Sequence, residues 1–141
     1  MNRTLQLKSF TLIPKLSICL MGAANSSSSS SSTTSNSTTM AATKMKSYIA
    51  ENRIMVFSKS YCPYCTEVKE KLQVYGTSKV VELDLIGAEG SEMQKSLQAL
   101  TSQSTVPNVF INGIHVGGCD DTTRKIRDGT LQRLLDAGFK K

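Results

Sequence analysis

The sequence predicts one small α/β domain in which a mixed four-stranded sheet lies between helices. A continuous apolar run at 54–57 indicates a strand that is covered on both faces. The pair Asn112-Gly113 between two apolar segments indicates an antiparallel hairpin. Helical patterns separate the other strands, so helices are expected on both faces of the sheet.

The first half of the folded part is expected to alternate helices and strands. A short helix is predicted from Thr43 to Asn52, and the strand at 54–57 follows it. Pro63 is tolerated at the start of the next helix because its missing N–H needs no partner there, and Gly76 ends this helix. The apolar face of this helix has helical spacing and consists of Val68, Leu72 and Tyr75.

The middle of the chain predicts a second strand at 80–85 and a loop at 87–90. Ser91 is a candidate cap for a third helix, because a serine side chain can accept a hydrogen bond from a free N–H of the first turn. The apolar face of this helix would consist of Met93, Leu97 and Leu100.

The last third predicts the hairpin and two helices. Strands are expected at 108–111 and 114–116, and Asp120 and Asp121 then lie where a helix amino end favours negative charge. A final helix begins at Thr130. Its apolar residues are Leu131, Leu134 and Leu135.

A CxxC pair carries the chemistry. Cys62 and Cys65 lie directly after the apolar strand and on the first turn of a predicted helix. Two thiols at this spacing can form and open a disulfide, and the free N–H groups of the helix start favour a thiolate at Cys62. The pattern therefore indicates a redox function.

Zinc binding is an alternative interpretation of the cysteines. Cys62, Cys65, His115 and Cys119 could formally supply a Cys₃His set. Pro63 argues against it, because it favours a helix where zinc knuckles usually bend around the metal. We therefore expect no metal site and a structural role for His115.

Charge and composition divide the chain into 1–43, a Ser-rich extension predicted to be disordered, and 44–141, the folded domain. Residues 1–47 contain five basic and no acidic residues, whereas 48–141 contain twelve basic and eleven acidic residues. The nearly neutral domain argues against nucleic-acid binding. No apolar run reaches the roughly 18 residues of a membrane span, and the cysteine distribution suits a reducing compartment.

The extension has several interpretations. Its Ser-rich, acid-free composition fits a transit peptide for a chloroplast or mitochondrion. Residues 16–24 could instead form a signal-peptide core, and a start at Met21 would match a myristoylation pattern. A leader without any address would leave the protein in the cytoplasm.

Three motifs together resemble dithiol (class I, CPYC-type) glutaredoxins of plants and algae. They are KSYCPYC at 59–65, TVP at 105–107 and GGCDD at 117–121, in the order and at the spacing of that family. The resemblance runs from about Tyr48 to Lys141. It implies a thioredoxin-like three-layer fold and a glutathione-dependent thiol–disulfide oxidoreductase.

The resemblance implies that Cys62 attacks protein–glutathione mixed disulfides and that Cys62 and Cys65 together reduce protein disulfides. It also implies a cis peptide bond before Pro107 and a glutathione site. At one end, Lys59 and Gln94 would hold the glycine carboxylate, although Gln94 could instead belong to a capping box with Ser91. The residues implied at this site are Lys59, Tyr64, Gln94, Thr105, Val106, Pro107, Gly118, Cys119, Asp120 and Asp121.

The expected partners are glutathione, as co-substrate rather than tightly bound cofactor, and glutathionylated or disulfide-containing proteins. The protein is expected to be a monomer. The alternative function is a homodimer that holds a glutathione-ligated [2Fe–2S] cluster through Cys62. The resemblance implies this function for members that have a small residue in place of Pro63. Cys119 matches a third cysteine of some members, with either a structural or a regulatory role.

Overall fold

The structure is a computed structural model that describes residues 33–138. The predicted order of helices and strands is confirmed within this range. The elements are α1 (Thr33–Glu51), β1 (Ile54–Ser58), α2 (Pro63–Gln73), β2 (Lys79–Glu82), α3 (Gly87–Thr101), β3 (Asn108–Ile111), β4 (Ile114–Gly117), α4 (Cys119–Arg127) and α5 (Thr130–Asp136). None of these helices combines the length and the apolar character needed to cross a bilayer.

The sheet is mixed and has the strand order β2-β1-β3-β4. β1 pairs in parallel with β2 and antiparallel with β3, and β3 pairs antiparallel with β4. Asn112 and Gly113 both have positive φ, of 49° and 82°, as a two-residue hairpin turn requires. The predicted hairpin is therefore confirmed.

The core lies on both faces of the sheet, because successive side chains of a strand point to opposite faces. Met55 and Phe57 of β1 pack with α1 and α3, whereas Ile54 and Val56 pack with α2 and α5. All four are almost completely buried. The prediction of a strand covered on both faces is confirmed, and the fold has three layers.

The start of α3 corrects the sequence analysis. The predicted loop at 87–90 is the first turn of α3, and Ser91 lies inside the helix rather than at its cap. A Cβ atom on Gly90 would lie 1.9 Å from the carbonyl oxygen of Leu83. Glycine therefore permits close packing of the helix here, whereas the sequence pattern suggested a loop.

Three element boundaries also differ from the prediction. β2 ends at Glu82 rather than at 85, and Leu100 is 52% exposed, so the apolar face of α3 ends at Leu97. α1 begins at Thr33, ten residues earlier than predicted, and Ala41 is buried in the core. α1 runs across the predicted division at 43/44, whereas residues 1–32 lie outside the described range, so the extent of the extension remains a prediction. The signal-peptide core and the alternative start at Met21 also lie outside this range.

Candidate active site

Cys62 lies at the junction between β1 and α2, at the N-cap of the helix. Its carbonyl oxygen accepts the N–H groups of Cys65 and Thr66, both at 3.2 Å. Pro63 is the first helical residue, and the Cys62 side chain makes no capping hydrogen bond. The first turn therefore keeps the N–H group of Tyr64, which the Cys62 side chain does not cap, and the positive end of the helix dipole at the residue that carries the Cys62 sulfur.

The Cys62 sulfur faces the turn that precedes β3. Sγ lies 3.9 Å from the carbonyl oxygen of Val106, within reach of a weak thiol hydrogen bond. The Val106–Pro107 peptide bond is cis, which confirms the prediction. The thiol is half-buried, so one side of it remains accessible.

Cys65 lies one helical turn deeper and has a different environment. Its side chain has no exposed surface. Burial raises the pKa of the Cys65 thiol to about 11, and a hydrogen bond with the Cys62 side chain adds to this shift. Cys65 is thus a neutral thiol at physiological pH, beside a more accessible one.

Two surface cavities flank the cysteine pair and share Thr105 and Val106. One, of about 400 Å³, is lined by Lys59, Tyr61, Cys62, Pro63, Gln94, Ser104, Thr105 and Val106. The other, of about 590 Å³, is lined by Tyr64, Gln103, Thr105, Val106, Pro107, Gly118, Cys119, Asp120 and Asp121. The structure therefore brings together every residue that the resemblance implied at the glutathione site. The binding roles themselves remain predictions.

The loop before Cys62 is held by an acidic side chain. Ser60 donates its N–H and its hydroxyl to the carboxylate of Asp84, at 2.9 and 2.5 Å. These hydrogen bonds lower the pKa of Asp84, with a further contribution from the charge of Lys59. The ionised carboxylate thereby anchors the segment that presents Lys59 to the cavity.

Gln94 lies in the second turn of α3 and points towards the 104–106 segment. Its Nε2 donates to the carbonyl oxygen of Ser104 at 2.8 Å. Ser91 donates instead to the carbonyl oxygen of Gly87 within the helix, at 3.5 Å. The capping-box alternative for Gln94 is therefore wrong.

The second cavity ends at the start of α4. Gly118 is the N-cap residue, and Asp120 and Asp121 lie in the first turn, as predicted. Asp121 pairs with Arg124. A Cβ atom on Gly117 would lie 2.5 Å from Oδ2 of Asp121, so the Asp121 side chain packs directly against the glycine.

The zinc alternative required His115 to lie together with Cys62, Cys65 and Cys119. Among the residues that the structure describes, no three His, Cys, Asp or Glu side chains are grouped as a metal site would require. The ring centroid of His115 lies 5.2 Å from that of Phe110, and burial followed by the charge of Lys125 lowers the pKa of His115. These contacts fit a structural role for His115.

Cys119 is half-buried at the first position of α4. Burial, followed by the negative charge of Glu67, raises the pKa of its thiol. Lys71 bonds to both Glu67 and Thr123, at 2.5 and 3.0 Å. The surroundings of Cys119 therefore favour a neutral thiol between α2 and α4.

Sequence reasoning missed four residues that line the cavities: Tyr61, Pro63, Gln103 and Ser104. Tyr61 is 72% exposed and directly precedes Cys62, so its place in the motif could have indicated it. Gln103 and Ser104 lie between α3 and the TVP motif, where no sequence pattern distinguishes a site residue from a loop residue.

Comparison with known proteins assigns the chain to a family. The Glutaredoxin family model matches residues 54–116. A glutaredoxin from Ricinus communis is 55% identical over 97 residues, which are 68% of this chain and 94% of that protein. Glutaredoxin-C5, chloroplastic, from Arabidopsis thaliana is 46% identical over 92 residues, which are 64% of this chain and 53% of that protein. The crystal structure of a buckwheat glutaredoxin–glutathione complex superimposes with a TM-score of 0.68 and 41% identity, over 72% of this chain and 93% of that one.

The fold and the cysteine pair at the start of α2 define a thiol–disulfide oxidoreductase with a thioredoxin-like fold. The relatives specify which one: the chain belongs to the glutaredoxin family. Its activity is glutathione-dependent thiol–disulfide exchange.

Proposed function

We propose that Cys62 is the nucleophile of this enzyme and that Cys65 resolves the mixed disulfide formed with protein disulfides. One contrast carries the proposal: the Cys62 thiol is partly accessible at a helix amino end, whereas Cys65 is fully buried with a pKa raised to about 11. Nucleophilic attack on a disulfide requires an accessible thiolate. Cys62 meets this requirement better than Cys65.

In the reaction on glutathionylated proteins, the Cys62 thiolate attacks the glutathione sulfur. A Cys62–glutathione disulfide forms, and the protein thiol leaves as a thiolate that takes up a proton. A second glutathione, as its thiolate, then attacks the bound glutathione sulfur, which releases glutathione disulfide and regenerates the Cys62 thiolate. The net reaction consumes one free glutathione and one protein–glutathione disulfide, and it yields the protein thiol and glutathione disulfide.

In the reaction on protein disulfides, Cys62 attacks one sulfur of the substrate and a substrate thiolate leaves. Cys65 then loses its proton, attacks the Cys62 sulfur and releases the second substrate thiol, which leaves a Cys62–Cys65 disulfide. Two glutathione molecules reduce this disulfide. Because the Cys65 pKa is raised to about 11, we expect this route to be slower near neutral pH than the route that uses Cys62 alone.

We propose that glutathione lies across the two cavities. Lys59 and Gln94 would bind its glycine carboxylate, and the Val106 backbone would pair with its cysteinyl backbone. The amino end of α4 would bind the γ-glutamyl carboxylate, with the Asp121 side chain beside the ammonium group. The position of Cys62 beside Val106, at 3.9 Å from its carbonyl oxygen, supports this placement.

The test compares Cys62→Ser and Cys65→Ser on two substrates, a glutathionylated peptide and a protein disulfide. Cys62→Ser should abolish both activities, because a serine hydroxyl is not ionised at neutral pH. Cys65→Ser should retain deglutathionylation and lose disulfide reduction. Cys19→Ser, in the extension, is the matched control. Turnover of either substrate by Cys62→Ser would refute the proposal.

We propose that the extension is a transit peptide that directs the domain to a chloroplast or mitochondrion, and that the mature protein is a monomer without a tightly bound cofactor. The name of the related Arabidopsis protein, which includes the word chloroplastic, supports the address. N-terminal sequencing of the protein from its native source should find a start within or just after the Ser-rich tract. A start at Met1 or an acylated Gly22 would contradict the transit peptide.

A further inference from the structure

The side chain of Gln103 makes two hydrogen bonds that bracket Val106. Its Nε2 donates to the carbonyl oxygen of Thr105 at 3.1 Å and to that of Pro107 at 2.8 Å. Both partners are acceptors, so both protons of the amide nitrogen are used. One side chain therefore holds the two carbonyl groups on either side of the residue that faces Cys62.

Gln103 is itself anchored from behind. Its backbone N–H donates to Oγ1 of Thr101 at 3.2 Å, and that hydroxyl donates to the carbonyl oxygen of Leu97 at 2.8 Å. Nδ2 of the buried Asn108 donates to the same hydroxyl at 3.2 Å. The Gln103 backbone is thus fixed to the end of α3 and the start of β3. Its side chain can therefore hold the carbonyl groups of Thr105 and Pro107 in place.

The same amide nitrogen lies beside the start of α4. A Cβ atom on Gly118 would be 3.5 Å from Nε2 of Gln103 and 3.7 Å from the carbonyl oxygen of Pro107. Gln103 also lines the cavity that contains Asp120 and Asp121. It therefore lies where the 105–107 turn and the amino end of α4 approach each other.

We infer that Gln103 is a positioning residue for glutathione binding, which sets the 105–107 backbone relative to the Cys62 sulfur and the amino end of α4. This inference rests on the proposed function, because the Val106 backbone is the proposed partner of glutathione. It adds a side chain that touches neither sulfur and still controls how the substrate is aligned. The role follows from the two donated hydrogen bonds, so it requires a donor rather than a glutamine as such.

The role predicts a specific kinetic effect. Loss of the two donors frees the carbonyl groups of Thr105 and Pro107 to turn, so glutathione should bind less well, while the chemistry at Cys62 should change little once the substrate is bound. KM should therefore rise and kcat should stay nearly constant. A residue that only stabilised the loop would lower the melting temperature without this separation.

The experiment measures KM and kcat for a glutathionylated peptide with Gln103→Met, which keeps the length and removes both donors. We expect KM to rise about tenfold with kcat within about twofold of the unmutated protein. In Gln103→Arg, which restores N–H donors, KM should return most of the way to the value of the unmutated protein. Gln98→Met, an exposed glutamine on α3, is the matched control and should leave both constants unchanged.

A second measurement needs no substitution. In nitrogen-15 NMR spectra of the unmutated protein, the Gln103 side-chain amide protons should exchange with solvent more slowly than those of Gln98. Equal exchange rates would overturn the inference, even if Gln103→Met failed to fold. A KM within twofold of the unmutated value in Gln103→Met, or an Arg variant no better than the Met variant, would also overturn it. Because the unmutated protein would still turn over its substrate through Cys62, these results would leave the proposed function standing.

Discussion

The amino ends of α2 and α4 meet at the same cavity but differ in the groups that they carry. Tyr64 of α2 and the first turn of α4 line this cavity together. Neither helix is capped by a side chain, because Cys62 makes no capping hydrogen bond and the N-cap residue of α4 is the glycine Gly118.

The difference lies in the charge of the first turn. The first turn of α2 contains no acidic residue, whereas that of α4 contains Asp120 and Asp121. An acid-free amino end suits a sulfur that must carry negative charge itself. An amino end with two aspartates can take a ligand of both charges, with N–H groups for a carboxylate and carboxylates for an ammonium group. In the proposed function, the same backbone feature therefore serves chemistry in one helix and recognition in the other.

The largest effect that we predict comes from the buried Cys65 thiol inside α2, in contrast to the accessible Cys62 thiol at the start of that helix. The Cys65 pKa is raised from 9.0 to about 11, so in reduced protein the unfolded chain ionises first as the pH rises above 9. The stabilisation is fully present below pH 9 and is lost as the pH rises through 11, so the free energy of unfolding should fall by about 3 kcal/mol in total, of which about 2 kcal/mol is lost by pH 11.

Denaturant unfolding of the reduced protein at pH 8.5, 10 and 11 measures this loss. Cys65→Ala is the reference, because it removes the buried thiol while the groups outside the Cys62–Cys65 pair titrate in both proteins. Parallel pH profiles of the two proteins would show that the buried thiol has no raised pKa. The comparison of an accessible and a buried thiol would then lose its basis.

The next prediction concerns Gly117, which packs against Asp121 at the amino end of α4. Gly117 has φ of +123°, and a Cβ atom there would collide with the Asp121 carboxylate. Gly117→Ala should cost about 1–3 kcal/mol of stability and should also raise KM, because Asp121 has to move.

Gly76→Ala separates the two effects. Gly76 has a similar φ of +128°, and a Cβ atom there would meet nothing within 4 Å. This variant should lose stability through backbone strain and keep its KM. If both variants raised KM equally, or neither did, the Gly117–Asp121 contact would not be what places the carboxylate.

The smallest effect that we predict comes from removing only the negative charge of Asp121. Asp121→Asn keeps the shape of the side chain and removes its charge, so KM for a glutathionylated peptide should rise by about tenfold while kcat stays similar. Asp136→Asn, on α5 and outside the cavities, should change neither constant. An unchanged KM in Asp121→Asn would remove Asp121 from the proposed recognition of the ammonium group.

Much of the fold could be predicted from the sequence because its signals are local. The run at 54–57, the Asn112-Gly113 turn and Pro63 at a helix start depend on neighbouring residues only, and the structure confirms all three. The start of α3 could not be predicted this way. Gly90 resembles a loop residue in sequence, and only its close approach to Leu83 shows why a helix requires a glycine there.

The candidate site divides in the same way. The sequence by itself determined the thiol pair, its place at a helix amino end and the family resemblance, because these follow from residue types at short spacing. Only the tertiary structure decided that Cys65 is buried beneath Cys62, that Gln94 bonds to Ser104 and that Gln103 brackets Val106. Burial and hydrogen bonding between separate elements depend on how the sheet and helices pack, and no local pattern in the chain records that packing.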